Sequence, residues 1–410
     1  MGAEWSARTL GEFVRLQRGH DLTASEQRPG SVPVLGSAGP NGTHCEPLAQ
    51  GPGLVIGRSG ASIGRVHFSE VDFWPHNTCL YVTDFLGNNP RFAYYLLQTL
   101  DLAAYNSGSA QPSLNRNFIY SIPVPAPSRR EQDEVVEALQ VLDHRIALLR
   151  ETNATLEAIA KALFKSWFVD FDPVRAKQQG IAPAGMDEAT AALFPDCFEE
   201  AALGSVPKSW RVGTLSELAD LNARTWSGRS HPERVGYLDL ANVKDNEVAT
   251  VAEFAFAEAP SRARRALRNG DTIVGTVRPG NRSFAFIHEP EPHLTASTGF
   301  AVLSPKAVDS TAFVYLAATQ DASIEHLAHV ADGGAYPAVR PDAVSGLVRV
   351  VPSTAILRAF NTVACPLLEK VSANQRQAQT LATLRDTLLP RLISGQLRLP
   401  EVNLRAGATA

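Results

Sequence analysis

Leu139-Gln140-Val141-Leu142-Asp143-His144-Arg145-Ile146-Ala147-Leu148-Leu149-Arg150-Glu151-Thr152-Asn153-Ala154-Thr155-Leu156-Glu157-Ala158-Ile159-Ala160-Lys161-Ala162-Leu163 is the stretch on which the fold turns. Leu142, Leu149, Leu156 and Leu163 recur every seven residues, with Leu139, Ile146, Asn153 and Ala160 as a companion stripe. A heptad seam of this length asks for a second helix of matching phase. The chain supplies one: at an offset of 225, Leu142, Ile146, Leu149, Leu156, Ile159 and Leu163 become Leu367, Val371, Asn374, Leu381, Leu384 and Leu388.

The offset holds from Gly108-Ser109-Ala110-Gln111-Pro112, set against Gly333-Gly334-Ala335-Tyr336-Pro337, through Pro127-Ser128 against Pro352-Ser353. Near the start, Trp5 and Thr9-Leu10-Gly11-Glu12-Phe13 match Trp210 and Thr214-Leu215-Ser216-Glu217-Leu218 at 205. The second copy has therefore gained about twenty residues, which belong in surface loops. A duplicated domain-plus-helix chain presents two similar surfaces, and duplex DNA is the commonest target with repeated grooves.

The expected fold is mixed α/β with a pseudo-twofold internal repeat: two globular recognition domains separated by two long helices that form an antiparallel coiled coil. The segments are 1–128 (first domain), 129–167 (first helix), 168–206 (connector), 207–352 (second domain), 353–395 (second helix) and 396–410 (tail). Leu142, Ile146, Leu149, Leu156 and Leu163 should pair with Leu367, Val371, Leu381 and Leu388. Antiparallel pairing follows from charge, because it sets Arg385 and Arg391 beside the acidic start at Glu131, Asp133, Glu134 and Glu137. Ser128 and Ser353 are candidate caps, and Pro366 predicts a kink or a late start of the second helix.

Composition narrows the class. With 410 residues and 44% hydrophobic content, two or three ordinary domains are expected. No apolar run approaches a membrane span, and Met1-Gly2-Ala3-Glu4-Trp5 lacks signal-peptide character, so a cytoplasmic protein without membrane contact is expected. Cys45, Cys79, Cys197 and Cys365 show no metal spacing and read as buried reduced thiols. Net charge is −4, and both domains are near neutral, with 8 basic against 9 acidic side chains in 1–128 and 15 against 16 in 207–352. DNA binding must then rest on local patches.

Signatures of catalysis are missing. There is no Asn-Pro-Pro-aromatic tetrapeptide, no Walker loop and no nuclease-type acidic cluster. Gly57-Arg58-Ser59-Gly60-Ala61-Ser62-Ile63-Gly64 lies between two β-type runs and reads as a strand-connecting turn, not a cofactor loop. His20, His44, His67 and His76 lack triad or metal spacing. For reading bases, Arg suits guanine and Asn or Gln suits adenine. Candidates are Arg58, Arg65, Gln111, Asn115, Arg116 and Asn117 in the first domain, which has no lysine, and Arg262, Arg264, Arg265, Arg268, Arg278, Asn281 and Arg282 in the second. The bland alternative is a solvated helix face for 262–268 and plain turns elsewhere.

Residues 163–177, Leu-Phe-Lys-Ser-Trp-Phe-Val-Asp-Phe-Asp-Pro-Val-Arg-Ala-Lys, then Leu193-Phe194-Pro195-Asp196 and Leu203-Gly204-Ser205-Val206-Pro207-Lys208-Ser209-Trp210, closely resemble the specificity subunit of type I restriction-modification enzymes. So do Leu388-Leu389-Pro390-Arg391-Leu392-Ile393-Ser394-Gly395-Gln396-Leu397 and the pair Glu131-Gln132. The resemblance covers essentially the whole chain. It implies a non-catalytic DNA-recognition subunit whose two target-recognition domains each read half of a split site. It further implies a scaffold for two modification subunits and, through them, restriction subunits. S-adenosylmethionine, ATP and Mg would sit on those partners, with none bound by this chain. Two departures stand out: Ile356-Leu357 replaces Glu131-Gln132 in the second copy, and Ala335-Tyr336-Pro337-Ala338-Val339-Arg340 replaces Ala110-Gln111-Pro112-Ser113-Leu114-Asn115. The alternatives are a protein-interaction scaffold that has lost DNA binding and, less favoured, a single-chain restriction or methylation enzyme.

Overall fold

The computed structural model describes residues 5–108, 112–202, 204–334 and 336–399. The chain divides into two compact units, Met1–Ala147 with Gln379–Ala410, and Leu148–Ala378.

In the first unit a four-stranded antiparallel sheet runs Arg15–Arg18, Cys79–Asp84, Gly53–Gly57, Val66–Ser69. A three-stranded sheet orders Gly39–His44, Val32–Gly36 and Trp74–Pro75. Helix Pro90–Gln98 starts where the Asn89 side chain accepts from the Arg91 and Phe92 amides, with Pro90 in the first turn where no amide is needed. Phe92 and Leu96 of that helix are buried with Leu54 and Ile56 of the sheet.

The second unit repeats the frame. Its four-stranded sheet runs Ala219–Leu221, Phe300–Pro305, Thr272–Gly275, Phe284–Phe286 in the same order. Thr9 stands opposite Pro123 and Thr214 opposite Val348, each strand pair sitting at the two offsets of the sequence repeat. Both copies then enter a short helix through a capping box, Thr9 with Glu12 and Thr214 with Glu217.

Where the copies differ is informative. Two residues join Val32–Gly36 to Gly39–His44, whereas residues 239–251 join Arg234–Leu238 to Ala252–Ala255. Most of the added segment is exposed, as expected of a surface insertion, but it is not free. It forms the hairpin Val243–Lys244 with Glu247–Val248, and Asn246 at its tip is 2% exposed.

Two helices of 40 residues, Arg129–Phe168 and Thr354–Ile393, carry the heptads. Ser128 opens the first by donating its amide and hydroxyl to Glu131, each at 2.8 Å. Ser353 accepts from the Ile356 amide at the start of the second. The second helix runs unbroken through Pro366, so the late start does not occur. Pro366 and Thr362 both lie on the solvent side, which leaves the carbonyl that proline cannot bond open to water, while Ala364, Cys365 and Leu368 stay buried.

Within the first unit Val135, Val136 and Leu139 share a core with Leu389, Leu392 and Ile393. Asp143 there accepts from Arg385 at 2.8 Å and from the Tyr95 hydroxyl at 2.5 Å. The arginine thus meets an acid of the first helix one turn or more beyond the 131–137 cluster named from charge. Within the second unit Asn153 donates to the Val371 carbonyl at 3.1 Å, and Asn374, 1% exposed, donates to Asn153 Oδ1 at 2.8 Å. Of the expected pairing residues, Ile146, Leu149 and Val371 are buried and Leu142, Leu156, Leu163, Leu367, Leu381 and Leu388 half-buried. Ile159 and Leu384, quoted for the repeat, are 44% and 45% exposed and lie off the seam.

The end of the first helix is anchored by aromatics. Phe168 meets Phe313 edge-on at 4.9 Å and Phe360 at 4.8 Å, and Trp167 meets Phe194 at 5.0 Å. Such pairs add about 0.5–1.5 kcal/mol each beyond their buried area. Phe171, Val174 and Phe194 belong to the same core, so much of 168–206 is folded against the unit instead of merely linking segments.

Replacing Asn374 by Ala should strand the Asn153 amide oxygen in a buried seam and lower stability by about 1–3 kcal/mol. Urea denaturation of the full chain measures this, and an unchanged midpoint would show that the polar pair contributes nothing.

Candidate nucleic-acid interface

In the first unit the glycine turn links the antiparallel strands Gly53–Gly57 and Val66–Ser69, as its flanking β-runs predict. A Cβ at Gly57 would lie 2.1 Å from the Ser62 carbonyl oxygen, so only glycine fits, whereas Gly60, at φ 77°, faces open space. This turn is clasped by backbone hydrogen bonds to residues 112–114, which precede helix Arg116–Ile119. The Leu114 amide donates to Arg58 O at 2.8 Å and the Gly60 amide to Pro112 O at 3.3 Å.

The second unit has the same clasp. The Val339 amide donates to Thr276 O at 2.9 Å and the Arg278 amide to Pro337 O at 2.7 Å. Arg278 therefore occupies the place of Gly60, and Pro337 that of Pro112. Turn 278–282 thus stands in the second unit where the glycine turn stands in the first. Two loops remote in sequence form one surface in each copy.

The side chains divide by partner. Arg65, Asn115, Arg116 and Asn117 are exposed, with Asn115 capping helix Arg116–Ile119 by accepting from the Asn117 amide. Arg58 is half-buried and donates to Asn77 O at 3.2 Å, and Arg116 donates to Leu16 O at 2.9 Å. Gln111 lies outside the described residues. In the second unit Arg278 stacks 4.8 Å from the ring centre of Tyr336, which is 71% exposed. Tyr336 was not among the candidates, although it stands where Gln111 stands at the offset of 225. Asn281 is exposed, while Arg282 is held by Asp245 and, at 2.8 Å, by Asp321. A cleft of about 480 Å³ opens beside this turn, with Lys244, Asp245, Asn281 and Arg282 in its wall.

The run 262–268 is not a helix face. Ala263–Ala266 is the last strand of its sheet, paired with Leu294–Ser297, and segment 224–226 covers its outer side, the Trp226 amide donating to Arg264 O at 2.8 Å and the Ala266 amide to Arg224 O at 3.2 Å. Arg262 is exposed. Arg264 lies 4.9 Å over Phe256, itself stacked on His231 at 3.8 Å. Arg265 donates to Thr225 at 3.1 Å, and burial lowers its pKa. Arg268 donates its amide to the buried Asp271, whose carboxyl is raised by burial and pulled back by Ser304 and Arg268. Arg265, Arg268 and Arg282 thus have protein partners inside the unit.

The titratable groups elsewhere serve structure. His20 contacts Tyr81, His67 the Ser37 carbonyl and His76 Thr78. Burial pushes the Cys79 thiol up to about 12, which keeps it protonated and inert. Cys365 is also buried, but Cys197 is half-buried and Cys45 exposed, so the expectation of four buried thiols fails for those two. Among the described residues no group of three or more His, Cys, Asp or Glu is placed to hold a metal, and no helix is long and apolar enough to cross a membrane.

The chain is similar to known proteins over most of its length. Residues 3–158 match the type I restriction modification DNA specificity domain. The chain is 23% identical over 362 residues to the type I restriction enzyme MjaIX specificity subunit of Methanocaldococcus jannaschii, covering 85% of this chain and 79% of the relative. It is 24% identical over 360 residues to the HindI specificity subunit of Haemophilus influenzae, covering 75% and 77%. In fold it is similar to the S subunit of a type I restriction-modification system from M. genitalium, with a TM-score of 0.63 over 96% of both chains at 15% identity. Residues 3–158 are therefore similar to the type I restriction modification DNA specificity domain, in a chain similar to type I restriction enzyme specificity subunits over most of its length.

Proposed function

We propose that this chain is the DNA sequence-recognition subunit of a type I restriction-modification system. It binds a bipartite duplex site, one half per recognition domain, and scaffolds two modification subunits and, through them, restriction subunits. The observation that carries the reading is the clasped loop pair, built in both units on one backbone pattern but dressed with different side chains. Common frame with different loop chemistry is what independent reading of two half-sites requires.

The long helices act as the spacer, paired as an antiparallel coiled coil. Support comes from the Asp143–Arg385 ion pair in one unit and the Asn153–Asn374 contact in the other. A 40-residue helix measures about 60 Å, ample to separate two half-sites. In this reading the chain works in the cytoplasm and has no catalytic centre of its own. S-adenosylmethionine, ATP and Mg belong to its partners.

One observation favours the alternative of a scaffold that no longer binds DNA: Arg268 and Arg282 are committed to internal carboxylates, in domains that are already near neutral. Equilibrium binding to a target duplex with the modification subunits present separates the two. Arg58→Ala with Arg65→Ala should weaken that binding by about 1–3 kcal/mol through the first half-site, with little change in unfolding midpoint. Arg262→Ala with Arg264→Ala should act on the second half, more through phosphates, and flatten the salt dependence. Binding that is indifferent to salt and to both pairs would favour the scaffold. Native mass measurement of the assembled complex should give two modification subunits per chain, and a stable one-to-one complex unable to add another would count against the scaffold role.

A further inference from the structure

The inserted segment 239–251 has no counterpart in the first unit, yet its tip is among the best satisfied places in the second. Asp245 and Asn246 form a two-residue hairpin loop at φ 46° and 67°, the left-handed pair that a type I′ turn needs. The Asn246 amide donates to Phe284 O at 2.9 Å, and its Oδ1 accepts from the Phe286 amide at 2.9 Å. Its Nδ2 donates to Glu157 Oε1 on the first long helix at 2.8 Å, and its carbonyl accepts from Gln375 Nε2 on the second at 2.8 Å. One buried residue thus touches both helices and the sheet.

Its neighbour carries the connection onward. The Asp245 amide donates to Arg282 O at 2.9 Å, and the Asp245 carboxylate holds the Arg282 guanidinium, which also reaches Asp321. Arg282 ends the turn 278–282, both of whose flanking arginines are left-handed, at φ 47° and 61°. A turn in that conformation keeps its shape only when its surroundings hold it.

We propose that Asn246 is a positioning residue, and that the inserted hairpin is a strut fixing turn 278–282 against both long helices. Reading of the second half-site then depends on this strut, and reading of the first does not. The inference rests on the turn being part of the DNA-reading surface, as argued above. A reading element performs only as well as the shell that supports it.

The test uses the full chain assembled with its modification subunits and competition binding to duplexes altered base by base in each half. Asn246→Gly keeps the left-handed backbone and deletes the side-chain bonds. Discrimination in the second half should fall about tenfold, the scale of one base-pair preference, with the first half unchanged. Glu157→Ala should reproduce the selective loss, and Glu157→Gln, which still accepts from Asn246, should behave as wild type. Unchanged discrimination, or equal loss in both halves, would overturn the proposal. A wild-type complex indifferent to second-half bases would sink the functional reading itself, and the strut with it.

Discussion

Two backbone hydrogen bonds clasp the paired loops together in each unit, Leu114 to Arg58 and Gly60 to Pro112 in one, Val339 to Thr276 and Arg278 to Pro337 in the other. Because both partners are main-chain groups, the clasp tolerates almost any side chain on the loops it joins. That property lets a duplicated domain keep its frame while its surface chemistry diverges. Gly60 with open space around it and Arg278 stacked on Tyr336 are two outcomes at one position.

The long helices impose a complementary constraint. Their seam is apolar for most of its length, and an apolar heptad seam alone fixes register weakly. Polar contacts supply what the leucines do not: Asn153 with Asn374 in one unit, Asp143 with Arg385 and Tyr95 in the other. A shift by one heptad would bury the asparagines without partners, so these groups specify a single alignment even where they add little net stability.

Much of this was legible in sequence because it depends on period and offset. The two long helices and the turn at Gly57–Gly64 follow from local chemistry, and each appears where it was expected. Other features depend on spatial neighbours that sequence does not carry. Pro366 was tolerated because its side of the helix faces water. The 262–268 run became a strand because a neighbouring strand was available to pair with Ala263–Ala266. Arg268 and Arg282 are held by carboxylates that folding brings to them, Asp271 three positions from the first and Asp245 and Asp321 37 and 39 positions from the second. Likewise, nothing in Asp245-Asn246 as text reveals that the tip of an insertion ends up buried against two helices.

Independent reading by two domains, through loops on a shared frame, has a direct experimental signature. Exchanging residues 1–128 for the equivalent domain of a relative with a different target, followed by genome-wide methylation mapping, tests it most directly. One half of the recognised sequence should change while the other half and the spacer length stay fixed. A change in both halves, or in the spacer, would contradict the account.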